Sequence, residues 1–227
     1  MTTSLGATAV LCSGGLDSVV LVAHEARARD VQPVYVSVGL AWEADEQTAL
    51  VRLAGEAAFG GRTRPLVRLE VPMSDVYGPS HWAIRGMPPG YDTPDEDVYL
   101  AGRNLILLSK AGAYCAAHGL HRIAMGPLSD NPFPDATPAF FDAMGRALSL
   151  GLDHPIEIAT PLSAMHKADV IRLGIQLGVR LELSLSCMKP ARGGHCGLCS
   201  KCRERRDAFA EAGVDDPTQY ASPSPRQ

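Results

Sequence analysis

Short apolar runs alternate with longer stretches of helical periodicity along the first 180 residues. The short runs predict strands over residues 7–12, 34–38, 66–71, 122–126 and 156–158. The stretches between them predict helices over residues 17–29, 43–59, 102–118, 136–149 and 166–177. Strands that alternate with helices form βαβ units, in which helices cover both faces of a parallel sheet. We therefore predict a doubly wound α/β fold with a mainly parallel sheet over residues 1–180.

Residues 72–97 interrupt this alternation. Five prolines and three glycines fall in the segment, together with His81, Trp82, Arg85 and Tyr91. A long irregular segment within a compact domain is usually functional or mobile. Two interpretations stay open: a surface excursion without chemistry, or a lid that covers a substrate.

Composition and charge exclude several classes of protein. Hydrophobic residues make up 46% of the 227 residues and charged residues 20%, which is ordinary for a globular protein. The net charge of −4 argues against broad nucleic-acid binding, so no stable nucleic-acid partner is expected. No apolar run approaches the roughly 18 residues of a membrane span, and there is no signal-peptide layout. We expect a cytoplasmic protein without a membrane partner.

Candidate chemistry begins where the first strand ends, at the string Ser-Gly-Gly-Leu-Asp-Ser of Ser13–Ser18. Paired glycines let backbone N–H groups approach an anion, and the start of the next helix adds about half a positive charge. The predicted phosphate-binding residues are Cys12, Ser13, Gly14, Gly15, Leu16, Asp17 and Ser18. The alternative is a simple turn in which Asp17 or Ser18 caps the helix. The lysine of the kinase P-loop and the fingerprint Gly-x-Gly-x-x-Gly are both absent.

Two basic residues at predicted helix starts are candidates for binding an anion. Arg103 opens the helix over 102–118, where a cation opposes the helix dipole unless it faces a negative group. Lys167 lies at the start of the helix over 166–177. Both could neutralise a phosphate or a carboxylate, and each could instead be solvated.

The proline-rich turn over residues 127–137 follows the fourth strand, where open α/β sheets bind ligands. This turn contains Phe133 and Asp135. Asp135 could cap the helix over 136–149, or it could accept N–H donors from the edge of a guanine-like base. Both roles stay open.

Four of the six cysteines form the pattern Cys-x8-Cys-x2-Cys-x2-Cys near the end of the chain. The candidate metal ligands are Cys187, Cys196, Cys199 and Cys202. Four thiolates around one tetrahedral ion make a closed site, so we predict structural zinc and assign no catalysis to the metal. An iron–sulfur cluster is the competing interpretation. His195 is either a spare ligand or a neighbour of the site.

The cysteines also divide the chain. We predict a zinc-binding segment over residues 181–212, packed on the same domain, and a tail over 213–227 that is poorly ordered from Asp216. The other two cysteines, Cys12 and Cys115, lie in apolar surroundings and are expected to be ordinary buried side chains.

The Ser13–Ser18 loop resembles the PP-loop of the ATP pyrophosphatase superfamily, whose fold is of the adenine nucleotide alpha hydrolase-like type. Four further segments resemble one family within it: Gly102–Leu105, Phe133–Asp135, Thr160–Leu162 and His166–Ala168. Together with the four cysteines, they make the chain similar to the QueC/ExsB family of 7-cyano-7-deazaguanine synthases from about residue 7 to residue 210.

This resemblance implies an ATP-dependent ligase that forms carbon–nitrogen bonds in queuosine biosynthesis. The reaction would convert 7-carboxy-7-deazaguanine and ammonia to 7-cyano-7-deazaguanine, through an adenylated carboxylate and an amide. The loop would hold ATP with Mg²⁺, and a homodimer is compatible with the resemblance. The catalytic candidates become Asp17, Arg103 and Lys167, and the substrate-side candidates are Trp42, Phe133 and Asp135.

Two departures from the family fall on the substrate side. Gly39–Ala44 stands in place of a Gly-Gln-Arg-His-type segment, and Phe133–Thr137 in place of a Tyr-Pro-Asp-Cys-Arg turn. One alternative is therefore a PP-loop enzyme that activates a different carboxylate, or a tRNA base as thiolation enzymes do. Another is a zinc-containing DNA-binding regulator with positive charge from Arg203, Arg205 and Arg206. These arginines could equally form a solvated helix face.

Overall fold

A computed structural model describes residues 6–225, and its centre is a parallel sheet of five strands. The strands are β1 (Thr8–Leu11), β2 (Val31–Ser37), β3 (Val67–Glu70), β4 (Arg122–Ala124) and β5 (Glu157–Ala159). They lie in the order β3-β2-β1-β4-β5, and every pair of neighbours is parallel. The chain runs outward from β1 to β3 and then crosses to β4 on the other side of β1. This reversal creates a switch point at the carboxyl ends of β1 and β4, where open sheets form ligand crevices.

Helices cover both faces of this sheet, so the predicted doubly wound fold is confirmed. They are α1 (Leu16–Ala26), α2 (Glu43–Leu53), α3 (Ser74–Tyr77), α4 (Trp82–Arg85), α5 (Arg103–Ala117), α6 (Pro138–Leu152), α7 (Lys167–Gln176) and α8 (Ser200–Ala212). α1, α7 and α8 share one core with Val10, whereas α5 and α6 share the other core with the alternate strand residue Leu11. A Cβ at Gly174 of α7 would lie 2.8 Å from Val20 of α1, so these two helices approach closely. Within residues 6–225, no helix has the length and apolar character that crossing a membrane requires.

The helix predicted over residues 43–59 ends earlier than expected. α2 stops at Leu53, and Ala57–Phe59 form a separate 3-10 turn. Gly55 lies between the two, and glycine is unfavourable inside a helix. The Phe59 ring of this turn is buried in the core.

Two other boundaries differ from the prediction. α6 begins at Pro138 rather than at 136, because the Thr137 hydroxyl caps it by accepting the N–H of Phe140 at 3.2 Å. β2 begins at Val31 rather than at 34, and it includes Pro33. Pairing of β2 with β3 starts only after this proline, so its missing N–H costs no ladder hydrogen bond on that side.

The end of the chain packs against the four-cysteine segment, so the predicted poor order from Asp216 is wrong as far as Ser222. The Ser222 N–H donates to the carbonyl of Cys196 at 3.1 Å. The Tyr220 ring lies 3.8 Å from the guanidinium of Arg206, and this cation–π contact fixes the tail on α8.

Candidate functional site

A cleft opens at the carboxyl ends of β1, β2 and β4, at the switch point of the sheet. It consists of two adjoining cavities of about 260 and about 490 Å³. The sequence-predicted residues in its wall are Cys12, Ser13, Gly15, Leu16, Asp17, Ser18, Trp42, Arg103, Phe133, Asp135 and Lys167. Gly14 faces α2 instead, with φ of +83° and an ideal Cβ position 3.1 Å from the carbonyl oxygen of Glu46. A side chain there would be both strained and crowded, so glycine lets the loop approach α2.

The predicted phosphate loop leaves the start of α1 without a side-chain cap. The N-cap position is Gly15, and neither Asp17 nor Ser18 caps the helix, so the simple-turn alternative is wrong in this respect. The Ser18 hydroxyl instead donates to the Gly15 carbonyl at 2.9 Å, and Ser13 Oγ accepts the Gly15 N–H at 3.2 Å. The first N–H groups of an α-helix lack intrahelical partners, so this uncapped start is suited to bind an anion.

A chain of opposite charges runs from α1 to α8 across this loop. Asp17 Oδ2 lies 3.2 Å from Lys167 Nζ, and Lys167 also pairs with Glu204. The second oxygen of Glu204 lies 2.5 Å from Lys201 Nζ. Burial alone would lower the pKa of Lys167, but the carboxylates of Asp17 and Glu204 raise it above its ordinary value. Lys167 is therefore held as a cation in the cleft wall.

Two buried polar atoms of the cleft have no hydrogen-bond partner among the described residues: Asp17 Oδ1 and Arg103 Nε. A buried polar atom left unpaired is costly, so such atoms in a cleft indicate a ligand. A carboxylate oxygen is the ligand type that Mg²⁺ prefers, and a guanidinium N–H suits a phosphate or carboxylate oxygen. The residues present therefore fit a nucleotide with its magnesium ion.

Asp135 lies at the start of α5 rather than at the start of α6. Its carboxylate accepts the backbone N–H of Asn104 at 3.1 Å, and its carbonyl accepts from the Asn104 side chain at 2.9 Å. The capping role considered for Asp135 at the helix predicted over 136–149 is thus wrong, since Thr137 caps that helix. Burial raises the pKa of Asp135 above its ordinary value. Recognition of a base by this carboxylate stays a prediction.

The segment over residues 72–97 forms part of the cleft wall through Trp82. The Trp42 and Trp82 rings stack at 5.9 Å between centroids and 10° between planes. The backbone N–H of Ala41 donates to the carbonyl of Ala83 at 2.9 Å, which joins this segment to the start of α2. This part of the segment is therefore packed into the cleft wall, whereas its role as a lid stays a prediction.

Glu46 lines both cavities, although the sequence patterns did not indicate it as a site residue. Its carboxylate accepts from the Tyr35 hydroxyl at 2.8 Å and from Trp42 Nε1 at 3.2 Å. Burial raises the pKa of Glu46 to about 7, with a contribution from Glu43, whereas Arg103 acts to lower it. The available sequence signal was an acidic residue on the buried face of α2, four residues after Trp42.

Glu204 and Lys201 were not predicted as site residues either, since no local pattern shows that α8 reaches the phosphate loop. Their spacing of three residues places them on one helix face, which is also typical of an ordinary surface pair. Only the position of Glu204, two residues after Cys202, connects it to a predicted site.

The four predicted metal ligands come together at the start of α8. Their sulfur atoms all lie within 4.8 Å of one another, and three of the separations are 3.9, 3.8 and 3.6 Å. A tetrahedral ion with Zn–S bonds of about 2.3 Å requires sulfur separations of about 3.8 Å. All four side chains are buried, and backbone N–H groups approach the sulfurs of Cys187, Cys196 and Cys202 at 3.3 to 3.4 Å. The cluster can therefore hold one metal ion.

His195 lies beside this cluster but outside it. Its Nε2 accepts the backbone N–H of Ser186 at 3.1 Å. Burial is the main reason that the pKa of His195 falls to about 3, with the charge of Arg205 adding to it. The ring is thus a neutral neighbour that fixes the chain before Cys187.

The three arginines of α8 form neither a solvated face nor a free basic surface. Arg205 is fully buried and donates to Ser184 Oγ at 2.9 Å and to the Leu181 carbonyl at 2.7 Å. Arg203 pairs with Asp95 at 3.3 Å, and Arg206 is covered by the tail. The DNA-binding alternative loses the residues on which it depended.

Comparison with known proteins identifies the family. The model of "Queuosine biosynthesis protein QueC" matches residues 7–213. The 7-cyano-7-deazaguanine synthase of Anaeromyxobacter dehalogenans is 36% identical over 223 residues, which cover 93% of this chain and 94% of that protein. The 7-cyano-7-deazaguanine synthase of Methanothrix thermoacetophila is 35% identical, over 95% of this chain and 99% of that protein. A solved 4-thiouridine synthetase with RNA and bound ATP aligns at a TM-score of 0.49 and 15% identity, over 92% of this chain and 50% of that one, a likeness too low to bear on function. The chain belongs to the family of queuosine biosynthesis protein QueC.

Proposed function

We propose that the protein uses ATP to convert 7-carboxy-7-deazaguanine and ammonia to 7-cyano-7-deazaguanine. Family membership supports this, since relatives that cover 93% and 95% of this chain are named for that product. The structural observation that carries the proposal is the pair of buried, unpartnered atoms, Asp17 Oδ1 and Arg103 Nε, beside the uncapped start of α1. They form the anion and metal sites that an ATP-dependent activation requires.

The reaction comprises two activations. A carboxylate oxygen of the acid attacks the α-phosphorus of ATP, and pyrophosphate leaves. Ammonia then attacks the acyl carbon, AMP leaves, and a nitrogen proton is lost to give the amide. A second ATP adenylates the amide oxygen, and loss of AMP and the two remaining nitrogen protons gives the nitrile.

The side chains of this cleft stabilise charge rather than act as nucleophiles. Backbone N–H groups of the Ser13–Ser18 loop bind the phosphates. Lys167 and Arg103 compensate the negative charge that develops on the leaving pyrophosphate. Asp17 holds Mg²⁺, which supplies Lewis-acid stabilisation of the phosphate oxygens when bound.

On the substrate side, Trp42 and Phe133 offer flat apolar surfaces for a fused heterocycle. Each belongs to a stacked pair, Trp42 with Trp82 and Phe133 with Tyr99. Asp135 is the candidate acceptor for the N–H donors of the heterocycle. Because this substrate wall departs from the family pattern at Trp42, activation of a related carboxylate is the second candidate function.

A thiolation reaction on tRNA receives no support from the cysteines. Outside the four-cysteine cluster only Cys12 and Cys115 remain, and both are buried. Burial raises the pKa of Cys12 to about 11 and that of Cys115 to about 12. A reactive, persulfide-carrying cysteine needs the opposite environment, with a lowered pKa and solvent access.

We propose that the cysteine cluster holds one structural zinc ion. Four sulfur ligands leave no open coordination position, so the ion fixes the fold of residues 181–212 and takes no part in the chemistry. We also propose a cytoplasmic location, because unpaired cysteines are typical of a reducing compartment. The homodimer stays a proposal that light scattering on the purified protein would test.

Purified protein incubated with ATP, Mg²⁺, ammonium and 7-carboxy-7-deazaguanine tests the function. We expect 7-cyano-7-deazaguanine by mass spectrometry, with two AMP and two pyrophosphate released for each nitrile. A protein that releases no pyrophosphate with this acid, but does so with a related carboxylate, would support the second candidate instead. If none of the carboxylates tested led to pyrophosphate release, both candidate functions would be contradicted.

A further inference from the structure

Glu46 occupies a distinctive place in the cleft, between the phosphate loop and the tryptophan wall. Its backbone carbonyl lies against Gly14, and its side chain accepts from Trp42 Nε1. Arg103 lines the same two cavities and is close enough to influence the charge of Glu46. A substrate carboxylate bound by Arg103 would thus lie in the same cleft as the Glu46 carboxylate.

The cleft wall contains two carboxylates that are more than nine-tenths buried, Glu46 and Asp135, each with 7% of its surface exposed. Asp135 is engaged by the backbone N–H of Asn104, as a helix cap. Two less buried carboxylates, Asp17 and Glu204, form ion pairs with Lys167. A carboxylate in such a pair is a weak base.

The Glu46 carboxylate differs from Asp17 and Glu204 because its described partners are neutral donors. The Tyr35 hydroxyl donates to one oxygen at 2.8 Å and Trp42 Nε1 to the other at 3.2 Å. A carboxylate has about four lone-pair positions, so these two bonds fix the group and leave capacity for a further proton donor. Glu46 is therefore buried, oriented and able to accept a proton from a molecule in the cleft.

Amide formation on the adenylated acid needs such a group. When ammonia attacks, the C–N bond forms and the bond from the acyl carbon to the AMP oxygen breaks, with its electron pair leaving on AMP. The nitrogen then carries one proton too many, and that proton must leave for the amide to form. We propose that Glu46 is the general base that takes this proton, an inference that rests on the proposed function.

The electrostatic surroundings suit a base that works near neutral pH. The groups that face Glu46 are Tyr35 from β2, Cys12 from the end of β1, Arg103 from α5 and Glu43 from its own helix. Burial is the largest influence on the pKa of Glu46, which rises to about 7. General bases are most effective when their pKa lies near the working pH. Because the base must be deprotonated, amide formation at a fixed concentration of free ammonia should increase as pH rises through this value.

The first test compares wild type with Glu46→Gln in the two half-reactions. Exchange of labelled pyrophosphate into ATP, with the acid present and ammonia absent, reports adenylation alone. We expect this exchange within about threefold of wild type, and single-turnover amide formation slower by about 100-fold or more. Equal loss of both half-reactions would overturn the proposal, since it would assign Glu46 to substrate binding. Unchanged amide formation would overturn it as well.

A second variant, Tyr35→Phe, tests the proposal should Glu46→Gln fail to fold. The Tyr35 hydrogen bond lowers the pKa of Glu46, so its loss should move the rising limb of the pH–rate profile to higher pH. If the rising limb of the Tyr35→Phe profile stayed at the wild-type pH, the assignment of Glu46 as the general base would be overturned. Asp45→Asn is the matched control, because Asp45 precedes Glu46 on α2 but lines a different cavity, and its profile should equal that of wild type. If the wild-type protein showed no acid-dependent exchange of labelled pyrophosphate into ATP, the proposed function itself would be refuted. That result differs from one in which the Glu46 variant forms the amide as fast as wild type.

Discussion

At the scale of single residues, the two oxygens of Asp17 have different surroundings. Oδ2 forms an ion pair with Lys167, whereas Oδ1 is buried and has no partner among the described residues. A role confined to the ion pair would leave no reason to bury the second oxygen unpaired, because that burial costs stability. The asymmetry supports the proposal that this carboxylate orients Lys167 with one oxygen and would hold Mg²⁺ with the other.

Asp17→Asn should abolish most turnover while it preserves the fold. The amide keeps the size of the side chain but loses the charge that attracts Mg²⁺, so we expect pyrophosphate release at least 100-fold slower. Zinc content and the circular dichroism spectrum should equal those of wild type, since Glu204 still pairs with Lys167. The exposed Asp30→Asn is the control, and an Asp17 variant as active as this control would refute the site assignment.

At the scale of elements, α8 joins the cysteine cluster to the phosphate loop. Cys202 and Glu204 lie two residues apart on this helix, and Glu204 reaches Lys167 at the start of α7. α8 also carries the buried Arg205, which holds the chain before the cluster at Leu181. The four-cysteine cluster and the proposed catalytic site therefore share one helix.

Glu204→Gln tests this connection. The change leaves Lys167 with one carboxylate and Lys201 without its described partner, and breaking a buried pair is costly. We expect the free energy of unfolding in urea at pH 7 to fall by about 2 kcal/mol, and kcat to fall about tenfold with little change in the KM for ATP. Glu211→Gln, farther along the same helix and exposed, is the control. Equal kinetics in the two variants would show that Glu204 does not position Lys167.

Removal of the metal should disorganise α8 and the tail together. The four buried sulfur atoms lie within 4.8 Å of one another. Without an ion they lose the positive charge that holds them around one point. A strong chelator should release one zinc ion per chain, increase hydrogen exchange over residues 187–222 and eliminate turnover. Exchange over β1 and α1 should change far less. Metal analysis that finds iron and sulfide would instead support the iron–sulfur alternative, and full activity without metal would contradict the structural role.

At the scale of the whole molecule, the alternation of strands and helices was enough to predict a mainly parallel sheet covered by helices, whereas the strand order and its switch point came only from the structure. The spacing of the four cysteines was enough to predict that they lie together, because a metal site leaves a local pattern in the sequence. The contacts of Lys167 with Glu204 and of Asp135 with Asn104 join residues more than 30 positions apart, and no local pattern encodes them. Glu46 was missed because its hydrogen bond with Tyr35 depends on how α2 packs on β2, and its contact with Trp42, four residues away on the chain, does not by itself mark a site.

The segment over residues 72–97 connects regions that are distant in the chain. Its Trp82 stacks on Trp42 at the start of α2, and its Asp95 pairs with Arg203 on α8. It thus lines the larger cavity on one side while it contacts the four-cysteine segment on the other. A wall built this way should contribute to binding of the acid rather than of ATP.

Trp82→Ala should therefore raise the KM for 7-carboxy-7-deazaguanine by about tenfold, because loss of an aromatic face costs about 1–2 kcal/mol of stacking and burial. The KM for ATP should stay within about twofold, since the phosphate loop keeps its contacts with α2 and Leu185. Trp82→Phe keeps an aromatic ring and should restore most of the affinity. Steady-state kinetics with each substrate varied in turn separates these effects. If Trp82→Ala changed both KM values equally, the segment would support the whole cleft instead of the acid site alone.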